Sequence, residues 1–381
     1  MPRPPCPYPE LTLRLRGAAT ASSSSSADPL PWDVLQALAL LDGLAGDGGE
    51  FWQVYCDALL PAPELLTLPM CWEGPRLAEL QHADIANAAR AQQARLSSLF
   101  PMFMEPLAPD VPSWFQWAFA CVRSRAFRVG PDAFAFVPFL DFANHADAPP
   151  NGTTVNGTSP LTANADFRLS PATTRGTPGG DNGGGSDDGV SYFELVALRD
   201  VAPGGEVTIC YCGPEGYTNQ RFMAQYGFVP RGGNPADRIK LDLESVGPHP
   251  APLELSLFQD LLGDALFLGA LRGSDPYLLA ALKSLPLKDD NDDGDCNNDD
   301  DDDVGAGGGG RGASMRTAAV LLSQVESQLA ECTTPLEADE ELLSDTSGEQ
   351  LWAEDPRLAA AVSYRVERKR LLDFGFVVIV V

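Results

Sequence analysis

The sequence contains few residues that commonly bind metals, and it has no long apolar run. Only three histidines occur in 381 residues, and the eight cysteines form no CxxC pair, since Cys210 and Cys212 make a lone CxC. Because a structural zinc ion needs about four ligands, the sequence predicts no metal site. No apolar run approaches the roughly 20 residues that a membrane helix requires, so no membrane contact is expected. The cysteine pattern favours reduced thiols in an intracellular compartment.

Basic residues are also scarce, with 26 Lys and Arg against 53 Asp and Glu, which gives a net charge of −27. Part of the excess is a run of Asp over residues 289–303. Without its ten charges the balance is still 43 acidic against 26 basic residues. Such a chain repels phosphate backbones, which excludes nucleic-acid binding through phosphates as its function. A basic protein partner stays open.

Composition along the chain predicts four segments. Residues 1–30 are rich in Pro and Ser and poor in acids. This is typical of a disordered tail or of a transit peptide, so the compartment stays open between chloroplast and cytoplasm. The other three are a helical segment, a segment with strands and a second helical segment, over 31–130, 131–232 and 240–374. Two low-complexity stretches are predicted to be a disordered insertion, 150–190, and a solvated acidic and Gly-rich loop, 289–312.

Hydrophobic periodicity and capping signals predict the individual elements. Helices are expected over 31–44, 50–60, 76–99, 114–127, 252–271, 315–330 and 356–372. Ser113 is expected to be a helix N-cap, and Thr334 is expected to begin a capping box. Strands are expected over 134–142, 192–198 and 206–211. The apolar tail, 376–381, is expected to be a terminal strand.

Two segments about 65 residues apart carry the most specific signal. The first is Val137-Pro-Phe-Leu-Asp-Phe-Ala-Asn-His145, and the second is Glu206-Val-Thr-Ile-Cys-Tyr211, which Tyr226-Gly-Phe228 follows. Together they resemble the two signature motifs of SET-domain methyltransferases, in particular the branch similar to Rubisco large-subunit methyltransferase. The resemblance implies an α+β fold. Small β-sheets, a pseudo-knot and a helical insertion would form the SET domain, and an all-helical C-terminal domain would follow.

Arg125 is the first candidate for binding the cofactor. On a helix it shares a face with Trp114, Ala118 and Cys121, so an apolar stripe ends in a positive charge. The residues alone leave open whether this guanidinium binds a carboxylate or extends to solvent. The resemblance implies that the cofactor is S-adenosylmethionine (AdoMet), with its carboxylate on Arg125. It also implies that three further residues bind AdoMet, namely Asp141, Asn144 and His145.

Tyr211 is the candidate catalytic residue. It ends an alternating strand, and such a tyrosine is often a core residue whose hydroxyl binds backbone. Methyl transfer from a sulfonium to an amine is an in-line displacement, which needs alignment and exclusion of water more than a strong acid. The resemblance implies that Tyr211 orients the reacting groups, and that Tyr226 and Phe228 bind substrate along a lysine channel.

The resemblance implies transfer of a methyl group from AdoMet to a lysine of a folded, non-histone protein. The C-terminal helical domain would bind that protein, and the chain is expected to be a monomer. Two alternatives stay open: a histidine target, and a non-catalytic module that only binds protein. The second rests on a departure from the family pattern. A Gly-rich turn that cradles AdoMet should precede the helical insertion, but residues 1–30 contain only Gly17, so part of the SET domain is expected to be missing.

Overall fold

The computed structural model describes residues 30–45, 49–130, 133–146, 162–170, 192–212, 216–230, 233–234, 236–242, 265–269 and 322–380. Contacts along the chain divide it into two units. The first contains residues 1–77, 84–217 and 221–232, and the second contains residues 78–83, 218–220 and 233–381. The predicted tail up to residue 29 and the predicted loop at 289–312 lie outside the described residues.

The described helices that lie wholly or mostly in the first unit come first in chain order. They are α1 (Trp32–Leu44), α2 (Glu50–Val54, continued by a π-helical turn over Tyr55–Leu59), α3 (Gly74–Ala78), α4 (Ala83–Leu99), α5 (Trp114–Arg125) and α6 (Asn219–Tyr226), whose first two residues belong to the second unit. The single helix predicted over 76–99 is two helices, because Gln81 adopts a left-handed φ of 49° between them. The other predicted helices of this unit are present, with small shifts at their ends.

Helix α5 forms the centre of the helical layer. Ser113 caps it as predicted: its hydroxyl accepts a 3.1 Å hydrogen bond from the Gln116 amide, and the Gln116 side chain accepts one of 3.0 Å from the Ser113 amide. Every side chain from Trp114 to Val122 is buried, and α1 packs against this helix. A helix enclosed on all sides fixes the position of its last residue, Arg125, which lies at the edge of the core.

The strands of the first unit are short and pair in twos. They are β1 (Ala126–Arg128), β2 (Phe134–Phe136), β3 (Asn144–His145), β4 (Ala165–Ser170), β5 (Tyr192–Ala197) and β6 (Thr208–Ile209). β1 pairs with β2 and β4 with β5, both antiparallel, whereas β3 and β6 are parallel. The strand predicted over 134–142 ends at Phe136. Pro138 donates no ladder hydrogen bond and Phe139 has a φ of 70°, so the chain turns into a 3₁₀ helix over Leu140–Phe142.

Strand β4 lies inside the stretch that composition predicted to be a disordered insertion, 150–190. It pairs with β5 along six residues, and Asn164 just before it bonds to the backbone of Glu206 and Thr208. Ala165 is buried with Ala143 and Ile209 in a small core. The described part of the stretch is therefore ordered by long-range pairing, which its polar composition did not reveal.

The described part of the second unit combines an antiparallel strand pair with helices. Its elements are β7 (Arg238–Asp242), β8 (Ala265–Gly269), α7 (322–330), α8 (Leu336–Leu342), α9 (Asp345–Glu354) and α10 (Pro356–Val380). The prediction of a helix over 252–271 is wrong for β8, whose five residues pair antiparallel with β7. The predicted terminal strand is also wrong, because α10 continues to Val380. Among the described residues, no helix is long and apolar enough to cross a membrane.

A buried charge cluster holds the helices of the second unit together. Asp339 of α8 is fully buried and accepts hydrogen bonds from Arg365 and Lys369 of α10. Thr334 donates a further hydrogen bond to this carboxylate at 3.0 Å, so its hydroxyl does not form the predicted capping box. Arg365 also bonds to the carboxylate of Glu79 at 3.0 Å. The two cations and one central carboxylate fix the register of α8 on α10.

Candidate active site

The parallel pairing of β3 with β6 joins the two segments that the sequence singled out. Asn144 lies opposite Thr208, and His145 lies opposite Ile209. Tyr211 follows β6 by two residues, and its backbone amide donates a 3.1 Å hydrogen bond to Nδ1 of His145. The chain therefore brings His145 and Tyr211 into direct contact although 65 residues separate them in the sequence.

The side chain of Tyr211 lies in an aromatic cluster. Its hydroxyl donates a 2.8 Å hydrogen bond to the carbonyl oxygen of Ala143. Its ring centroid is 4.9 Å from that of Tyr226, 5.3 Å from that of His145 and 6.4 Å from that of Phe228. Burial raises the pKa of Tyr211 to about 12, with Arg125 opposing the shift. The phenol is therefore neutral at physiological pH, and it is oriented by a backbone acceptor.

Arg125 and Asp141 form an ion pair beside this cluster. Nη1 of Arg125 donates to Oδ2 of Asp141 at 3.1 Å and to the carbonyl oxygen of the same residue at 3.1 Å. The Asp141 side chain is fully buried, whereas the Arg125 side chain keeps 24% of its exposure. The pair holds the 3₁₀ turn that follows Phe139 against the end of α5.

Tyr55 completes this arrangement, and sequence reasoning missed it. Its hydroxyl donates to Oδ1 of Asp141, and the hydroxyl oxygen of Tyr55 accepts a 3.4 Å hydrogen bond from the Phe139 amide. Burial, then the hydrogen bond to Asp141, raises the pKa of Tyr55 well above its usual range. Tyr55 lies in the π-helical turn, and such turns often occur at functional sites. This signal is visible in the structure and not in the sequence.

Asn144 is exposed at the rim of the site. Its Nδ2 donates a 2.6 Å hydrogen bond to Oε1 of Glu206, which precedes β6. This contact ties the two motif segments together a second time. The backbone of β3 is thus held on one side by β6, while the polar groups of Asn144 lie at the surface.

Tyr226 and Phe228 flank a glycine whose conformation is required. Gly227 has a φ of 77°, and a Cβ there would lie 2.5 Å from the carbonyl carbon of Thr67. Only glycine fits both conditions. The turn directs both aromatic rings toward Tyr211, with Tyr226 the nearer of the two.

The structure thus brings Tyr211, His145, Tyr226 and Phe228 into one cluster, with Ala143 and Asn144 along its edge. Arg125 and Asp141 adjoin it, and their charges act on the pKa of Tyr211 in opposite directions, Arg125 lowering it and Asp141 raising it. The predicted site residues are therefore contiguous. Asn219, which begins α6, lies apart from them: its backbone and side-chain amides both donate to the carboxylate of Asp237 in the second unit.

Three polar side chains near β6 form a group that the sequence did not predict. Cys210 and Cys212, on either side of Tyr211, and His145 bring their ligand atoms within 4.8 Å of one another. The cysteines are two residues apart, whereas His145 comes from β3. Only the strand pairing reveals the group, and the sequence had predicted no metal ligands.

The donors of the site fit the charged parts of AdoMet. Among the described residues, both hydrogen bonds of Arg125 leave from Nη1, so Nε and Nη2 can meet a carboxylate. The aromatic rings around Tyr211 suit a sulfonium cation. The exposed amide of Asn144 and the adjoining backbone suit a polar ring such as adenine.

Comparison with known proteins finds a related sequence and solved structures of similar fold. No family model matches the chain. SET domain-containing protein 4 of Mus musculus is 27% identical over 203 residues, which are 47% of this chain and 37% of that protein. The chain therefore spans well under half the length of this curated relative.

Two solved structures share the fold. The SET domain of LSMT bound to lysine and AdoHcy has a TM-score of 0.53 and 17% identity, covering 97% of this chain and 78% of that chain. Rubisco LSMT bound to AdoMet has a TM-score of 0.50 and 17% identity, with coverage of 97% and 78%. These likenesses establish the fold. They confirm the α+β class and the resemblance to SET-domain proteins that the sequence indicated.

Proposed function

We propose that this chain, which has the fold of the SET domain of LSMT, is an AdoMet-dependent protein-lysine N-methyltransferase. The observation that carries the proposal is the position of Tyr211. Its hydroxyl is fixed on the Ala143 carbonyl at 2.8 Å, its amide bonds to His145, and aromatic rings surround it. Buried tyrosines often bind backbone, but this one lies where the two motif segments meet.

The cofactor would be held by four residues along the edge of the cluster. Arg125 would bind the carboxylate of AdoMet through the nitrogens that Asp141 does not use, while Asp141 keeps the guanidinium in place. Asn144 and His145 would hold the adenine end, largely through the backbone of β3. When bound, AdoMet supplies a methyl group on a sulfonium, which a neutral amine can displace.

The chain's own residues would align and protect this transfer. Tyr211 stays protonated and donates a hydrogen bond to the carbonyl oxygen of Ala143, so the lone pairs of its own oxygen remain available to orient the amine and the methyl group. Tyr226 and Phe228 would form the wall of the lysine channel and exclude water. Alignment within such a site contributes several kcal/mol to lowering the barrier, on the order of the effect of intramolecular reactions.

The substrate is proposed to be a folded, non-histone protein that binds to the helical second unit. The comparison structures support a lysine side chain as the acceptor, because one of them was solved with lysine bound. A histidine acceptor would use the same displacement and remains the second candidate for the target residue.

A non-catalytic protein-binding module is the alternative from another class. The contact between Arg125 and Asp141 favours it, because the carboxylate neutralises the cation proposed to meet AdoMet. Binding of AdoMet would decide against this alternative, since a pure binding module has no use for the cofactor.

Radiolabel transfer tests the proposal. The purified protein is incubated with methyl-labelled AdoMet and a protein extract of its source cells, and the labelled products are hydrolysed to amino acids. Labelled methyl-lysine that depends on the added protein is the expected result, and methyl-histidine would reassign the acceptor. No labelled residue above the extract alone, from a protein that binds AdoMet, would overturn the activity.

A further inference from the structure

The group formed by Cys210, Cys212 and His145 has the composition of a metal site. Its three ligand atoms lie within 4.8 Å of one another, and each residue is half-buried. Two sulfurs and one imidazole nitrogen are the ligands that zinc and other borderline or soft ions prefer. Exposed carboxylates, which often cluster without binding an ion, take no part in the group.

The spacing of the two thiols agrees with ligation of one ion. Two sulfurs at about 2.3 Å from a tetrahedral zinc ion lie about 3.8 Å apart. The Sγ atoms of Cys210 and Cys212 are 3.8 Å apart. The two sulfurs already have this separation, so ligation of one ion needs no change in their spacing.

The third ligand comes from the parallel pairing. Nδ1 of His145 accepts the hydrogen bond from the Tyr211 amide at 3.1 Å, so its lone pair is directed at the backbone between the two cysteines. An ion bound by Nδ1 and both sulfurs would replace this hydrogen bond. It would also replace the contact of the Cys210 thiol with the Cys212 carbonyl at 3.2 Å.

We propose that Cys210, Cys212 and His145 bind one divalent ion of the zinc class. Both thiols lose their protons to solvent, and the thiolate lone pairs form the two metal–sulfur bonds. Three protein ligands leave a fourth position of the tetrahedron for water. Binding of the ion breaks the hydrogen bond from the Tyr211 amide to His145. The ion should therefore slow methyl transfer, an effect that rests on the proposed function, whereas the metal site itself does not.

Cobalt titration tests the site without any assay of activity. The reduced, metal-stripped protein is titrated with Co²⁺, followed by Zn²⁺. The expected result is a thiolate-to-cobalt charge-transfer band and the visible bands of tetrahedral Co²⁺, saturating at one ion per chain and abolished by Zn²⁺. Absence of the charge-transfer band in the folded protein would overturn the proposal.

Matched serine variants assign the ligands. Cys210→Ser combined with Cys212→Ser should abolish the charge-transfer band, whereas Cys332→Ser, a half-buried cysteine of the second unit, should leave it unchanged. A band that survives in the double variant would place the ion elsewhere and refute the assignment.

Thiol labelling of the native protein makes the test independent of whether the variants fold. Zn²⁺ should protect Cys210 and Cys212 from alkylation, as mapped by mass spectrometry, while Cys332 is labelled equally with and without the ion. Equal labelling of all three cysteines in both conditions would contradict the site. Because neither readout involves AdoMet, failure here is distinct from failure of the proposed methyl transfer.

Discussion

The hydroxyl of Tyr211 donates a 2.8 Å hydrogen bond to the carbonyl oxygen of Ala143, the residue that precedes the Asn144-His145 pair. This bond connects the end of the second motif to the first. It also fixes the phenol oxygen against a backbone atom, which moves less than a side-chain partner would. The proposed catalysis depends on that fixed position.

Tyr211→Phe removes this bond and the oxygen while keeping the ring. We expect methyl transfer to slow on the order of 100-fold, because a displacement reaction is sensitive to misalignment. The dissociation constant for AdoMet, measured by calorimetry, should change little. Tyr192→Phe, an exposed tyrosine of β5, is the matched control and should keep full activity. Unchanged turnover in Tyr211→Phe would remove this residue from catalysis.

The pH dependence of the rate gives a second test of Tyr211. Burial raises its pKa to about 12 from an ordinary 10.0, so the phenol stays neutral through the range in which the substrate amine loses its proton. The rate should therefore rise with pH as the amine is deprotonated. In a pH–rate series, the apparent pKa should be the same for the wild type and Tyr211→Phe. A shift between the two profiles would mean that the phenol itself titrates during the reaction.

The ion pair of Arg125 with Asp141 predicts two separable effects. Arg125→Ala leaves the buried carboxylate without its cation, so we expect a loss of about 2–3 kcal/mol in the free energy of unfolding. Adding Asp141→Asn should recover part of this loss, because the unpaired charge is then absent. Urea denaturation of the single and double variants measures the loss in the free energy of unfolding and its recovery.

The second effect of the ion pair is on AdoMet affinity, which is measured separately from stability. If Arg125 meets the cofactor, AdoMet affinity should fall in Arg125→Ala by about tenfold or more, and Asp141→Asn should not restore it. Arg128→Ala, an exposed arginine of β1, should leave both affinity and stability near the wild-type values. Recovery of affinity together with stability would show that Arg125 acts only through the fold.

Gly227 and Gly204 form a matched pair for the turn beside Tyr226. Both have a φ of 77°, but a Cβ at Gly204 meets no atom within 4 Å, whereas one at Gly227 lies 2.5 Å from Thr67. Gly204→Ala should cost about 1–2 kcal/mol from backbone strain alone. Gly227→Ala should cost clearly more in thermal or urea unfolding. Equal losses would mean that Thr67 moves aside without cost.

Asp339 predicts a stability effect in the second unit. Asp339→Asn leaves Lys369 buried without a carboxylate partner and leaves Arg365 with Glu79 alone, so we expect a loss of about 3 kcal/mol in the free energy of unfolding. Glu340→Gln is the matched control, since Glu340 pairs with Arg370 at the surface and should contribute under about 1 kcal/mol. Urea denaturation near neutral pH measures both.

The sign of the pH dependence follows from the same carboxyl. Burial raises the pKa of Asp339, but hydrogen bonds from Arg365 and Lys369 outweigh it and hold the pKa below the ordinary 3.8. Its stabilisation is therefore present above about pH 4 and is lost as the pH falls through the folded-state pKa. The difference in the free energy of unfolding between wild type and Asp339→Asn should become smaller in strong acid. A difference that stays constant with pH would show that the charge of Asp339 does not stabilise the fold.

Local sequence signals predicted most helices of the first unit and the cap at Ser113, whereas the capping box at Thr334 and the helix over residues 265–269 were wrong. The capping box of Ser113 and Gln116 needs only residues three apart, and the helix behind it is apolar throughout. The resemblance between motifs also predicted that Asn144 and His145 would lie near Tyr211. In each case the information was contained in a short segment.

Contacts between distant segments could not be predicted in the same way. Tyr55 reaches Asp141 across 86 positions, and nothing in either neighbourhood indicates the other. Strand β4 is polar and short, so its order comes from pairing with β5. His145 lies beside the thiols of Cys210 and Cys212 only because β3 and β6 pair in parallel.

Calorimetric titration of AdoMet into the 381-residue protein shows whether the cluster around Tyr211 is a cofactor site. We expect saturable binding of one AdoMet per chain, weakened strongly in Arg125→Ala and little affected in Tyr211→Phe. Absence of binding by a protein whose circular dichroism shows it folded would contradict the claim that the cluster around Tyr211 is an AdoMet site.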